Sequence, residues 1–206
     1  MACSATLLIC YSMRLILASH SPRRQELLRR AGFDFEVRPS RIEEIVRPGE
    51  TAEEFARRAA QEKALEVAGY GPPGAFVLGA DTVVVVNGEL LGKPRDVEDA
   101  RRMLRLLSGH THRVVTGVCL VRAPQKVAAL KHETTSVTFR QLDEEEIQSY
   151  LANGEPFDKA GAYGIQGLAS KFVTRVEGCY FNVVGLPVAL VCEILKPFVK
   201  ATVLNS

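Results

Sequence analysis

Phe76 to Val86 is an apolar run that contains one charged residue, Asp81. A run of this length, closed by Asn87-Gly88, reads as a buried strand entering a hairpin turn. A carboxylate inside such a strand costs several kcal/mol unless it is ion-paired or bound to a metal. Asp81 therefore calls for a structural ion pair or for a catalytic or metal-binding role. Gly79, two residues earlier, signals the close approach of a ligand or of another backbone.

The flanking segments alternate helix and strand signals. Leu15 to Ala18 reads as a buried strand, followed by a helix capped by Ser21, opened by Pro22 and stopped at Gly32. Phe33, Phe35 and Val37 alternate as in a half-buried strand. Thr51 and Glu54 form a capping-box pattern for a helix to about Ala68. Asp96 caps a helix ending at Ser108-Gly109, and residues 112–122 and 126–140 read as two long strands. Asp143 and Glu146 start a helix whose acidic first turn, Glu144 to Glu146, suits the helix dipole and needs no chemistry. Residues 171–176 and 180–184 read as strands, and Pro187 opens a last helix. Hairpins mixed with helical crossovers predict an α/β fold around a mixed sheet, without a regular βαβ repeat.

Composition narrows the possible partners. The 206 residues, 47% of them hydrophobic, can bury one sizeable core, assigned to residues 13–200, with residues 1–12 as an N-terminal extension. Against 26 Lys and Arg stand 24 Asp and Glu, a net +2 that gives no reason to expect nucleic-acid binding. No run is long enough to span a bilayer, and the N-terminus lacks the basic region of a signal peptide, so no membrane partner is expected. Five widely spaced cysteines suggest neither a disulfide framework nor a CxxC site, which fits a cytoplasmic protein. Cys119 and Cys192 lie among apolar residues and read as small core fillers.

Three motif matches fail on context. Gly69-x-Gly71-x-x-Gly74 spells a dinucleotide fingerprint, but it follows a helix, precedes a strand and contains two prolines. Gly88 to Lys93 is one residue short of a phosphate-binding P-loop and has Pro94 where Ser or Thr is required. His110-x-His112 has no carboxylate or cysteine at ligand spacing and reads as a solvated loop.

Four other constellations can carry chemistry. Ser19-His20-Ser21-Pro22-Arg23-Arg24 joins hydroxyls and two guanidiniums to a helix N-terminus, a good polyphosphate site. An ordinary capped helix with solvated arginines explains the same residues equally well. Lys93, in Gly92-Lys93-Pro94, follows the Asp81 hairpin closely enough to approach whatever Asp81 holds, or else is a turn lysine in solvent. In Asp158 to Gly167, glycines 161, 164 and 167 let a backbone wrap a ligand. There Gln166 has the donor and acceptor needed to read a base edge, and Lys159 is a phosphate candidate; a plain structural loop is the alternative. Glu43-Glu44 could add carboxylates for a divalent cation, although a loop charge pair is more often simply solvated.

Taken together and in order, Ser19–Arg24, Gly79-Ala80-Asp81-Thr82, Gly92-Lys93-Pro94-Arg95, Leu107-Ser108-Gly109 and Asp158–Gly167 resemble the Maf family of nucleotide pyrophosphatases. The resemblance runs from residue 14 to about residue 196. It implies an elongated, two-lobed domain around a mixed sheet with a central cleft, shared with the ITPase-like enzymes, and often a homodimer. The implied reaction is hydrolysis of a nucleoside triphosphate to the monophosphate and pyrophosphate with a divalent cation, Mg2+ or Mn2+. By motif match Asp81 is the proton acceptor. Arg23, Arg24, Glu44 and Lys93 line the phosphate and metal region, with Glu44 and Asp81 as metal ligands.

The segment Asp158–Gly167 looks like that of the dTTP/UTP group rather than that of the 7-methyl-GTP group, and Arg24, Thr82 and Gln166 fall at the positions linked to that choice. Modified pyrimidine nucleotides are a second substrate class for such an enzyme. A nucleotide-binding regulator of cell division with incidental hydrolysis is the reading from a different class.

Overall fold

A computed structural model describes residues 10–11, 13–198 and 201–202. In chain order its elements are β1 (Cys10–Tyr11), β2 (Leu15–Leu17), α1 (Pro22–Arg30), β3 (Glu36–Val37), α2 (Ala52–Gly69), β4 (Phe76–Val86), β5 (Glu89–Leu91), α3 (Val97–Leu107), β6 (Thr111–Arg122), β7 (Lys126–Phe139), α4 (Glu144–Leu151), β8 (Val173–Glu177), α5 (Tyr180–Val184), α6 (Val188–Leu195) and β9 (Ala201–Thr202). Single-turn helices fill much of residues 155–172. The expectation for residues 1–12 lies outside the described residues except at β1, which pairs antiparallel with β9.

The main sheet runs β3-β2-β4-β6-β7-β8, with β5 added to β4. β2 is parallel to β3 and β4, and the remaining pairs are antiparallel. This is the expected α/β architecture around a mixed sheet. The predicted caps form: Ser21 Oγ accepts from the Arg24 N–H, and Thr51 with Glu54 and Asp143 with Glu146 make reciprocal capping boxes.

Strand alternation divides β4 between two cores. Leu78, Ala80, Val84 and Val86 join the large cluster formed with α1, α3, α4 and α6. Val77, Val83 and Val85 pack under α2 on the other face. Helix α2 buries a stripe of small residues there: Ala52, Ala56, Ala59, Ala60 and Ala64. The sheet surface beneath is equally small. A Cβ on Gly79 would stand 2.2 Å from the Ala60 carbonyl oxygen, and one on Gly117 would stand 2.0 Å from that of Ala56. The close approach signalled by Gly79 is therefore to another backbone. Gly117 is the direct cross-strand partner of Asp81.

Several local expectations change. Residues 180–184 form α5 instead of a strand. The chain turns at Gly178 (φ +118°), and Asn182 is buried with its amide donating to the Val114 carbonyl and to Thr135 Oγ1. Those tertiary hydrogen bonds override the strand preference of Tyr, Phe and Val. The strand expected over 171–176 begins at Val173, and the Phe33–Val37 segment is strand only at Glu36–Val37. Cys119 is buried as expected, but Cys192 is exposed, because α6 turns Val191, Ile194 and Leu195 inward and leaves Cys192 outside that stripe. His112 is 1% exposed, not solvated, because the alternation of β6 points it at Phe139 and Tyr163. Among the described residues no helix is long and apolar enough to cross a membrane.

Candidate active site

β2 pairs with residues 76–78 of β4 and β5 pairs with residues 84–86, which leaves the β4 edge at residues 79–83 uncovered. A cleft of about 360 Å³ opens there. It is lined by Ser21, Arg23 and Arg24 at the start of α1, Glu44, Asp81 and Thr82, Lys93, and Lys159 and Gln166 of the glycine-rich segment. Of the candidate site residues singled out in the sequence, all reach this wall except Ser19 and Glu43. Ser19 is buried behind it, its Oγ accepting from the Ser21 N–H at 3.1 Å and from Arg24 Nη1 at 3.3 Å. Glu43 does not line the cleft.

Asp81 is 2% exposed. Its Oδ1 accepts from Lys63 Nζ at 2.5 Å, while its Oδ2 is buried without a hydrogen-bond partner. Burial pushes its pKa up to about 6; the Lys63 charge opposes the rise and Glu44 adds to it. Glu44, on the loop before α2, accepts a hydrogen bond from the same Lys63 Nζ. Burial works against its charge, but Lys63, Lys93 and Arg24 outweigh burial and hold its carboxyl below the usual range.

Lys63 is the residue that the sequence reading missed. It is 6% exposed and sits on the buried stripe of α2, between Ala60 and Ala64. A lysine at a core-facing helical position was a legible signal, and it supplies the cation that Asp81 demanded.

Arg24 is held by the protein itself. Nε donates to the Gly185 carbonyl at 2.9 Å, Nη1 to the Ala80 carbonyl at 2.9 Å and to Ser19 Oγ, and Nη2 to Thr82 Oγ1 at 3.0 Å. Those contacts occupy most of its five N–H donors and cap a carbonyl on the bare β4 edge. Burial lowers its pKa, with Asp81 and Glu44 opposing. Thr82 Oγ1 also lies 3.0 Å from Thr116 Oγ1. Arg23 and Lys159 meet on Asp158: Arg23 Nη1 donates to Oδ2 at 2.9 Å and Lys159 Nζ to Oδ1 at 2.5 Å.

The glycine-rich segment is braced from behind. Tyr163 OH lies 2.8 Å from His112 Nε2, and Tyr150 OH accepts from the Gly164 N–H at 3.3 Å. Glu155 accepts from Tyr150 OH and from the Leu168 N–H. A Cβ on Gly167 would stand 2.1 Å from Glu155 Oε1, so a larger residue there would push the Glu155 carboxylate aside.

No group of three or more His, Cys, Asp or Glu side chains converges on a metal site among the described residues. The available donors are Glu44 and the unpartnered Asp81 Oδ2. Two carboxylates fit a hard cation that takes its remaining oxygens from phosphates and water.

The fold and this wall define an α/β protein with a cleft lined by arginine and lysine side chains over a buried carboxylate. The chain belongs to the Maf family: the family model described as Maf-like protein matches residues 14–198. It is 52% identical over 184 residues to a dTTP/UTP pyrophosphatase of Koribacter versatilis, an alignment covering 89% of this chain and 94% of that protein. A dTTP/UTP pyrophosphatase of Anaeromyxobacter is likewise 52% identical over 188 residues, covering 90% of this chain and 89% of that protein. The Ham1 protein of Staphylococcus aureus shares the fold, with a TM-score of 0.50 at 15% identity, over 90% of this chain and 99% of that one.

Proposed function

We infer that this chain is a nucleoside triphosphate pyrophosphatase that hydrolyses dTTP and UTP to the monophosphate and pyrophosphate. The observation that carries the reading is Asp81, a buried carboxylate with one oxygen unpartnered, facing a cleft walled by Arg23, Lys93 and Lys159. Relatives named for this activity, about half identical over most of the chain, support it.

In this reading Asp81 Oδ2 takes the proton of a water that attacks the α-phosphorus. The bond from phosphorus to the bridging oxygen breaks, and pyrophosphate leaves with the electron pair. Lys63 fixes the orientation of Asp81 through Oδ1 and leaves Oδ2 free. Arg23, Lys93 and Lys159 take the charge of the leaving phosphates, and Arg24 holds Thr82 and the Gly185 carbonyl in place. Glu44 and Asp81 would hold Mg2+ or Mn2+, which supplies charge neutralisation on the phosphates. Gln166, exposed on the cleft wall, offers its amide to the base edge. A cytoplasmic location and a homodimer, both without a nucleic-acid partner, belong to the same reading.

The test is a panel of nucleoside triphosphates with Mg2+ or Mn2+, followed by pyrophosphate release. Turnover concentrated in UTP and dTTP is expected. No turnover of any member would favour a nucleotide-binding regulator instead.

A further inference from the structure

Two cations on the cleft wall already hold an anion, and that anion belongs to the chain. Both carboxylate oxygens of Asp158 are engaged, Oδ2 by Arg23 Nη1 at 2.9 Å and Oδ1 by Lys159 Nζ at 2.5 Å. The Asp158 carbonyl also accepts from Arg23 Nη2 at 3.3 Å. A planar fork and an ammonium converging on one anionic group is the arrangement that proteins present to a phosphate.

We propose that Asp158 is an internal counter-anion that competes with the substrate's phosphates for Arg23 and Lys159, restricting binding to highly charged ligands and promoting pyrophosphate release. The proposal rests on the reading of the cleft as a nucleoside triphosphate site.

The exposure of the group suits this role. The Asp158 side chain is 58% exposed and that of Arg23 is 30% exposed, so their pair is weak and exchangeable. Burial works against the charge of Asp158, but Lys159 and Arg23 outweigh it and hold the carboxyl below the usual range. The counter-anion is thus charged at neutral pH. The buried pair of Lys63 with Asp81 is of the other kind: both side chains are under a tenth exposed, where separating the charges is costly. Lys93 makes no hydrogen bond or ion pair among the described residues; it acts on Glu44 only through its charge and lines the cleft where a phosphate would enter.

Asp158 is covalently adjacent to Lys159, so it competes at a high effective concentration that no free anion matches. A triphosphate carries more charge than either product and competes best. When the chain of phosphates is cut, each fragment holds the two cations less firmly and Asp158 takes them back.

The experiment compares wild type with Asp158→Asn, which keeps the shape and removes the charge, and with Asp158→Glu, which keeps the charge. KM for UTP and inhibition by pyrophosphate are measured, with binding of inorganic pyrophosphate and tripolyphosphate by calorimetry at fixed Mg2+. Removing one exposed charge that holds two cations is worth about three- to tenfold. In Asp158→Asn the pyrophosphate dissociation and inhibition constants should fall by that factor, KM should fall by less, and Asp158→Glu should stay near wild type. A rise in these constants would mean that Asp158 only orients Arg23 and Lys159, and would overturn the proposal. Unchanged constants, or equal behaviour of the two variants, would overturn it as well. The calorimetry needs no turnover, so a wild type that fails to hydrolyse UTP would defeat the catalytic reading while the test of Asp158 proceeds.

Discussion

Lys63 Nζ stands 2.5 Å from Asp81 Oδ1 and also donates to Glu44, so one buried ammonium ties helix α2, strand β4 and the loop before α2 together at the floor of the cleft. The approach that makes this possible is steric. Gly79 and Gly117 on the sheet and the alanines of α2 bring the two backbones close enough for a lysine to reach across. The pairing is at once structural and chemical: it offsets the burial of Asp81 and directs the free Oδ2.

Replacing Lys63 with Met leaves two carboxylates facing each other without their cation. Removing one partner of a buried pair costs about 3 kcal/mol or more. Chemical denaturation should show a loss of that size in Lys63→Met, and the double variant Lys63→Met/Asp81→Asn should recover a large part of it. Equal stability of the single variant and wild type would mean that the pair contributes nothing net.

Asp81→Asn keeps the shape of the side chain and removes its basicity. A positioned general base contributes about 10²- to 10⁴-fold. Pyrophosphate release should fall by at least the lower figure, with the circular dichroism spectrum unchanged. Full activity in this variant would remove Asp81 from the chemistry.

Gln166 lines the cleft with an amide that can both donate and accept. Gln166→Glu loses the donor and should erode the preference for UTP and dTTP over other triphosphates by about tenfold. A specificity profile identical to wild type would show that the base is read elsewhere.

His112 should make stability depend on pH. Burial pulls its pKa down to about 4 from 6.5. Between those values the unfolded chain binds the extra proton, so the contribution is complete above pH 6.5 and is lost as pH falls toward 4. It is worth on the order of 3 kcal/mol for a ring this buried. Asp81, with its pKa raised to about 6, has the opposite slope over part of that range. The informative quantity is therefore the difference in unfolding free energy between wild type and His112→Gln, measured from pH 7 to pH 4. It should change by about that amount, and a flat difference would mean that His112 titrates normally.

Much of the fold was legible because its signals are local. The caps at Ser21, Thr51, Asp96 and Asp143 use side chains and N–H groups only three residues apart, so sequence spacing suffices to predict them. The misread segments were decided by distant partners. Tyr180–Val184 has strand-forming residues, yet the hydrogen bonds of Asn182 to β6 and β7 make it a helix. His112 reads as a loop residue along the sequence, and it is Tyr163, 51 residues later, that gives it a buried partner.

The sequence by itself determined that Asp81 would be buried and in need of a partner, because hydrophobic patterning and the penalty for burying a charge are both readable along one strand. It also picked out most of the residues that gather at the cleft. Only the tertiary structure decided that Lys63 is that partner, that Ser19 supports the wall from behind, and that Asp158 already holds Arg23 and Lys159. These are relations between side chains up to 135 positions apart. No periodicity encodes them, because they depend on how closely the packed helix and sheet approach one another.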